Sequence, residues 1–370
     1  LRDLLYGFVH DSRHQLNSNN KIDSNTAVEM SLLLEEHKIS QDLLNKCQGN
    51  GITPFLHFRI LQTIPDEAAY SVLAKCFDDS AHVLSALEML YQGSNRPIYV
   101  YELGGLGDVI EGFMTIKTLV KEKFMNSRIV YITTEKLARF LNDFLAIQQI
   151  TAISTNTFDG HYAKPIHALH LIALARSKFG LLPRHSSAAT SLRPSEGFKG
   201  SPEGERIIGT FSKSGYVVLN LRSLAKLKPE TSRKSYFLRS LDENACFAII
   251  KRYLDLGQTV VDITSYPKGS RLKHRIHGKE RYLNLDCMLL EFSDYAYLVH
   301  HASEAITIDS MLTHLAAALN LPHVLLLAKG HDQRWIRNLS ITESMYAHAC
   351  KAYKQKTLHN WSTMERYGKF

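Results

Sequence analysis

Twice in this chain an apolar, β-rich run ends in a short turn carrying an aspartate and opens straight into a helix. The first is "PIYVYELGGLGDVIEGFMTIKTLV" (97–120), and the second is "EAITIDSMLTHLAAALNLPHVLLLA" (304–328). A strand feeding a helix in this way is the opening of a βαβ unit, which commits the chain to a parallel sheet covered by helices. The two junctions are built differently, one on glycines and one on an Asp-Ser pair, so a tight turn alone does not account for both.

The alternation extends well beyond the junctions. "RIVYITT" (128–134) and "QQITAIST" (148–155) read as strands around a helical "KLARFLNDF", and "KPIHALHLIALARSKFGL" (164–181) reads as a helix ended by Gly180. A stretch rich in Ser, Pro, Gly and charge (183–205) then reads as a linker. Beyond it, "GYVVLNL" (215–221), "ENACFAIIKRYLDLG" (243–257), "QTVVDIT" (258–264) and "SDYAYLVHHA" (293–302) continue a second strand–helix series up to the Asp-Ser junction. The expected architecture is α/β, with two doubly wound, Rossmann-like domains facing each other across a cleft. They occupy 97–205 and 206–350, with a terminal helix or tail over 351–370. Residues 1–96 carry apolar residues at helical spacing throughout and read as an all-helical module for packing, protein contacts or oligomerisation.

Charge narrows the partners. A formal net charge of +8 suits anionic ones: nucleotide phosphates, nucleic acid or an acidic membrane surface. No interleaved aromatic-and-basic motif favours nucleic acid, and no run of 18 apolar residues marks a membrane span. The five cysteines include no C-x-x-C pair, which argues against structural zinc or a disulfide framework and for a cytoplasmic setting. No D-x-D motif stands beside the second junction, so no metal is expected, and the glycine spacing of the first is not the G-x-G-x-x-G of a classical NAD site.

At the first junction Gly104, Gly105 and Gly107 let a ligand approach the backbone, and the following helix offers free N–H groups to an anion. A tight strand-to-helix turn is the plainer reading of the same glycines. Asp108 stands where a carboxylate either caps the helix or takes a proton from an attacking hydroxyl. At the second junction Asp309 and Ser310 open a helix on which Ser310, Thr313 and His314 share one face. Hydroxyls, an imidazole and free N–H groups together suit a diphosphate; a structural role for the histidine is the alternative.

The G-G-x-G-D-V-I turn together with D-S-x-x-x-H-L-A-A-A-L-x-x-P-x-V resembles the bacterial heptosyltransferase family, glycosyltransferase family 9, over roughly residues 97–335. The resemblance implies a GT-B fold and inverting, metal-independent transfer of a heptose or hexose-like sugar. The donor would be a nucleotide diphosphate sugar, a substrate rather than a cofactor, and the acceptor a bacterial glycan or glycolipid. It places the enzyme in the cytoplasm, including the cytoplasmic face of the inner membrane. A protein acceptor, or a non-catalytic binding or assembly role, is the alternative. By resemblance Asp108 is the base on the acceptor hydroxyl, and Asp309 contacts the donor sugar. Ser310, Thr313 and His314 lie against the diphosphate, and a lysine neutralises the leaving group, with Lys226 and Lys228 nearest in position and Lys234 next. Two positions depart from the pattern: Met311 stands where the family has glycine, and Arg222 stands in a loop that is usually Pro-Gly. Arg222 either grips a phosphate or makes a structural ion pair. Lys117, Lys121 and Lys123 read as a solvated face or as a contact for anionic head groups, and Lys329, His331 and Arg334 as groups that close over the nucleotide.

Overall fold

The computed structural model describes residues 85–86, 88–89, 96–103, 105–123, 128–145, 149–159, 165–168, 171, 198–211, 215–223, 239–266, 270–276, 280–285, 291–328, 350–355 and 361, with only the backbone at 115, 118–119, 121–123, 144–145, 211 and 273–274. The module expected over 1–96, apart from residues 85–86, 88–89 and 96, lies outside them, as do Gly104, Lys226, Lys228, Lys234, Lys329, His331 and Arg334.

Two parallel sheets organise the chain. The first contains β1 (Ile98–Tyr101), β2 (Ile129–Thr133), β3 (Ile150–Ser154) and β4 (Ile166–His167) in the order β3-β2-β1-β4, every pairing parallel. Helices α1 (Leu106–Lys123) and α2 (Glu135–Leu145) connect its strands. Next come α3 (Pro202–Phe211), β5 (Tyr216–Asn220), α4 (Glu243–Asp255), β6 (Thr259–Asp262), α5 (Leu272–Ile276) and β7 (Tyr282–Asn284). Then follow α6 (Phe292–His301), β8 (Glu304–Ile308), α7 (Met311–Ala318), β9 (His323–Leu327) and β10 (Cys350–Lys354). The second sheet runs β10-β9-β8-β5-β6-β7, again all parallel.

Burial explains why these strands stand out in the sequence. Tyr216–Leu219 and His323–Leu327 are buried on both faces, and a strand covered by helices on both sides is a continuous apolar run. The helix α7 goes further: Leu312 to Ala318 are all buried, because it lies on β8 and β9 and also packs against α1 of the first half. A helix enclosed on every side carries no polar face, which accounts for the sequence LAAA. One apolar cluster accordingly runs through Val109, Phe113, Leu312 and Leu315, joining the two halves.

The structure revises several boundaries. Ile166 and His167 pair with Val100 and Tyr101, so the expected helix over 164–181 begins as a strand, with helical backbone only from Ala168. Two residues are too few to show a period of their own. Residues 202–205, assigned to the linker, form the first turn of α3. Cys350–Lys354, expected in part as a helix or tail, adds an edge strand to β9.

The α3 turn is fixed by a buried carboxylate. Asp294 of α6, 1% exposed, accepts the Ser201 N–H at 2.6 Å, the Ser201 hydroxyl at 2.9 Å and the Glu291 N–H at 2.9 Å. A Cβ at position 204 would lie 2.4 Å from the Asp294 Oδ1, so only glycine fits there. Asp262, at the tip of β6, is likewise wholly buried and accepts from the Tyr266 and Tyr282 hydroxyls and the Thr264 N–H. Burial pushes its pKa up against the pull of those donors.

Candidate active site at two switch points

In an open α/β sheet a crevice forms at the carboxyl ends of the strands, where the strand order reverses. In the second sheet the chain moves from β5 out to β6 and β7, then returns to β8 and moves out the other way to β9 and β10. The reversal lies between β5 and β8. Asn220 ends β5, and Asp309 and Ser310 directly follow β8. Asn220 Nδ2 donates to Ser310 Oγ at 3.1 Å, and that hydroxyl also meets Thr307 Oγ1 at 2.9 Å. Ser310 is the N-cap of α7, yet its side chain makes no capping bond to its own helix. It is held across the strand tips instead.

Thr313 and His314 share the expected helical face, but packing decides what that face meets. Thr313 is fully buried and its hydroxyl donates to the Ile308 carbonyl at 2.9 Å, so it ties the helix to its strand and has no surface to offer a diphosphate. His314, 2% exposed, packs its ring against α1 of the other half. A Cβ on Gly107 would stand 2.6 Å from His314 Cδ2 and 3.0 Å from Nε2, so the third glycine of the turn is required by this contact between halves. Gly107→Ala is therefore expected to destabilise by about 1–3 kcal/mol through overpacking, although alanine is the better helix former. Thermal unfolding checks this, and adding His314→Ala should recover most of the loss. A more stable single variant would contradict the contact.

The cation at this site is one that spacing along the sequence does not reveal. Arg239 lies three residues before Asp242, whose carboxylate caps α4 by accepting the Asn244 and Ala245 N–H groups, each at 2.9 Å. The Leu241 N–H bonds the Leu221 carbonyl at 3.0 Å and the Ser223 N–H bonds Ser240 Oγ at 3.0 Å, drawing residues 239–241 onto the tip of β5. Arg239 Nη1 there meets Asp309 Oδ2 at 2.9 Å, with side chains 22% and 6% exposed. Arg222 follows β5 on the same tip. Its Nε is buried without a hydrogen-bond partner, and it makes no ion pair among the described residues. The structural ion pair weighed for Arg222 thus belongs to Arg239.

The first sheet repeats the logic. Its order reverses between β1 and β4, and Glu102, Gly105, Gly107 and Asp108 follow β1 while His167 ends β4. Asp108 occupies the third position of α1 rather than its cap, and Oδ2 accepts the Gly105 N–H at 3.1 Å, half of a capping box. Glu102 is 5% exposed, and its Oε2 lies 3.7 Å from His167 Nε2. Burial lowers the His167 pKa, and the Asp108 charge offsets part of that. The Tyr131 hydroxyl, wholly buried, is pushed well up by burial and then by Glu102, Asp108 and Glu111. Neither Glu102 nor His167 follows from local pattern; each is placed by strand order.

Residues 248–367 match the model of glycosyltransferase family 9 (heptosyltransferase). The match takes in the Asp309–His314 junction, the site's most distinctive sequence. Among solved structures, the glycosyl transferase family 9 protein from Veillonella parvula DSM 2008 is 13% identical, with TM-score 0.46 over 70% of this chain and 86% of that one. The E. coli ADP-heptose lps heptosyltransferase II is 16% identical, with TM-score 0.45 over 72% of this chain and 92% of that one. The iron-containing dodecameric glycosyltransferase TibC from enterotoxigenic E. coli H10407 is 16% identical, with TM-score 0.42 over 63% of this chain and 58% of that one. No curated protein matches the chain. No helix among the described residues is long and apolar enough to cross a membrane.

Proposed function

We propose that the chain is a nucleotide-sugar-dependent glycosyltransferase that binds its donor at the β5/β8 switch point and its acceptor at the β1/β4 switch point. The observation that carries this reading is the packing of α1 against α7, with His314 on Gly107, which sets the two strand-tip crevices side by side. Transfer from a nucleotide sugar must stabilise a departing diphosphate. The second half offers two guanidinium groups, Arg222 and Arg239, the Ser310 hydroxyl and the first turn of α7. A buried N–H with no acceptor, as at Arg222 Nε, is costly until an anion meets it. In this reading the cation assigned to Lys226 or Lys228 is supplied by Arg239. Asp309, beside Arg239, faces the sugar, and Asp108 takes the proton of the acceptor hydroxyl. The transfer is a single inverting displacement without a metal, and the sugar is a heptose or a hexose relative moved onto a bacterial glycan or glycolipid.

The donor half is tested by thermal shift with ADP, ADP-heptose, UDP-GlcNAc and AMP, with EDTA present. A diphosphate at a hundred times its dissociation constant stabilises the folded state by about 2.7 kcal/mol, so a clear rise is expected with a nucleoside diphosphate and little with AMP. No rise with any of the four would overturn the assignment of the second switch point.

A further inference from the structure

We propose that His314 is a positioning residue: its ring sets where Asp108 stands relative to the donor crevice, and it does not contact the diphosphate. This rests on the glycosyl-transfer reading and replaces the role that the family resemblance gives to His314. The histidine is 2% exposed, so it has almost no surface for a ligand, and its ring lies on α1 instead. Gly107, where the ring lands, is the second residue of α1, and Asp108 is the third. His314 itself stands one helical turn beyond Ser310, the N-cap at the donor crevice. The contact therefore joins the first turns of the two helices, one opening at the donor crevice and the other carrying the proposed base.

Each helix is tied to its own sheet beside this contact. The Thr313 hydroxyl donates to the Ile308 carbonyl at 2.9 Å and lies 3.3 Å from Thr307 Oγ1, which holds the first turn of α7 on β8. The Tyr131 hydroxyl donates to the Val109 carbonyl at 3.1 Å, which holds the first turn of α1 on β2. A Cβ at position 112 would lie 2.7 Å from that hydroxyl oxygen, so α1 has no room to sit closer to its sheet. The spacing between the two first turns then depends on what stands between them. A Cβ at position 107 would meet His314 Cδ2 at 2.6 Å and Nε2 at 3.0 Å, so the Gly107 backbone and the ring are already in contact. An interior packed this closely transmits a displacement rather than absorbing it. Without the ring α1 settles toward α7 and carries Asp108 with it, and a misplacement of about 1 Å is enough to cost roughly 10²-fold in rate.

The test uses the full chain and measures nucleoside diphosphate release from ADP-heptose and UDP-GlcNAc, with water as acceptor, per site counted by ADP titration. His314→Ala should lower kcat roughly 10- to 100-fold, while the donor KM and the ADP dissociation constant stay within about twofold of wild type. A double variant separates positioning from stability. In an Asp108→Asn background, His314→Ala should cost nothing further, because losses from residues that act as a unit do not add. Should His314→Ala fail to fold, Gly107→Ala disturbs the same contact from the other side. It should show the same fall in kcat and the same lack of additivity with Asp108→Asn. A folded His314→Ala chain that no longer binds ADP would make the histidine a donor ligand and overturn the proposal. A wild-type kcat, or a loss that multiplies with that of Asp108→Asn, would overturn it while leaving the glycosyltransferase reading intact. A wild-type chain that turns over neither donor would sink that reading, and this one with it.

Discussion

Asp108→Asn is expected to lower sugar transfer by roughly 10²- to 10⁴-fold, the range for removal of a positioned general base. Asparagine separates the two roles weighed for this residue, because its side-chain oxygen can still accept the Gly105 N–H at the start of α1. Loss of that hydrogen bond would by itself cost about 1 kcal/mol, and the asparagine variant should lose less. Its melting temperature should stay close to wild type, and ADP should still raise it, since the donor crevice belongs to the other half. Asp108→Ala supplies the contrast: the same loss of rate together with a measurable loss of stability. If Asp108→Asn transfers at the wild-type rate, Asp108 is a structural residue and the acceptor assignment at the first switch point fails.

Arg239→Ala is expected to destabilise the second half by about 3 kcal/mol or more, because breaking one side of a buried ion pair strands the other charge. For a domain of 150–250 residues that is a fall of roughly 6–12 °C in melting temperature. The partner is Asp309, at 2.9 Å and 6% exposed. The same variant should lose the ADP-induced thermal shift, since the proposed function makes this guanidinium the cation for the leaving diphosphate. A double variant separates the two effects. Arg239→Met with Asp309→Leu removes both charges, and apolar replacement of a buried pair is often neutral or stabilising. Stability should then recover while the ADP shift stays absent. Recovery of both would reduce Arg239 to a structural residue.

Both aspartates are legible in the amino-acid sequence, because each closely follows a strand and opens a helix, and that position is where parallel sheets place their ligands. The seven strands β1, β2, β3, β5, β6, β8 and β9 are equally plain as apolar runs, and in β5, β6, β8 and β9 nearly every residue is buried, as in strands covered on both faces. The short elements β4, β7 and α5 and the edge strand β10 are not. Ile166 and His167 carry no period, and at Cys350–Lys354 only the pairing with β9 makes a strand of a mixed sequence. Arg239 escapes a reading by spacing, which points to Lys226 and Lys228 in the loop directly after β5. The hydrogen bond from Leu241 to Leu221 instead returns a later segment to the same tip.

The sequence by itself determined the two parallel sheets, the strand tips bearing Asp108 and Asp309, and the common face of Ser310, Thr313 and His314, since these depend on periods of two and 3.6 residues and on neighbours along the chain. Only the tertiary structure decided that Arg239 lies against Asp309, that Glu102 meets His167, and that His314 rests on Gly107. Those contacts join residues far apart in the chain, and their geometry depends on strand order and on how closely α1 and α7 pack, neither of which leaves a local pattern.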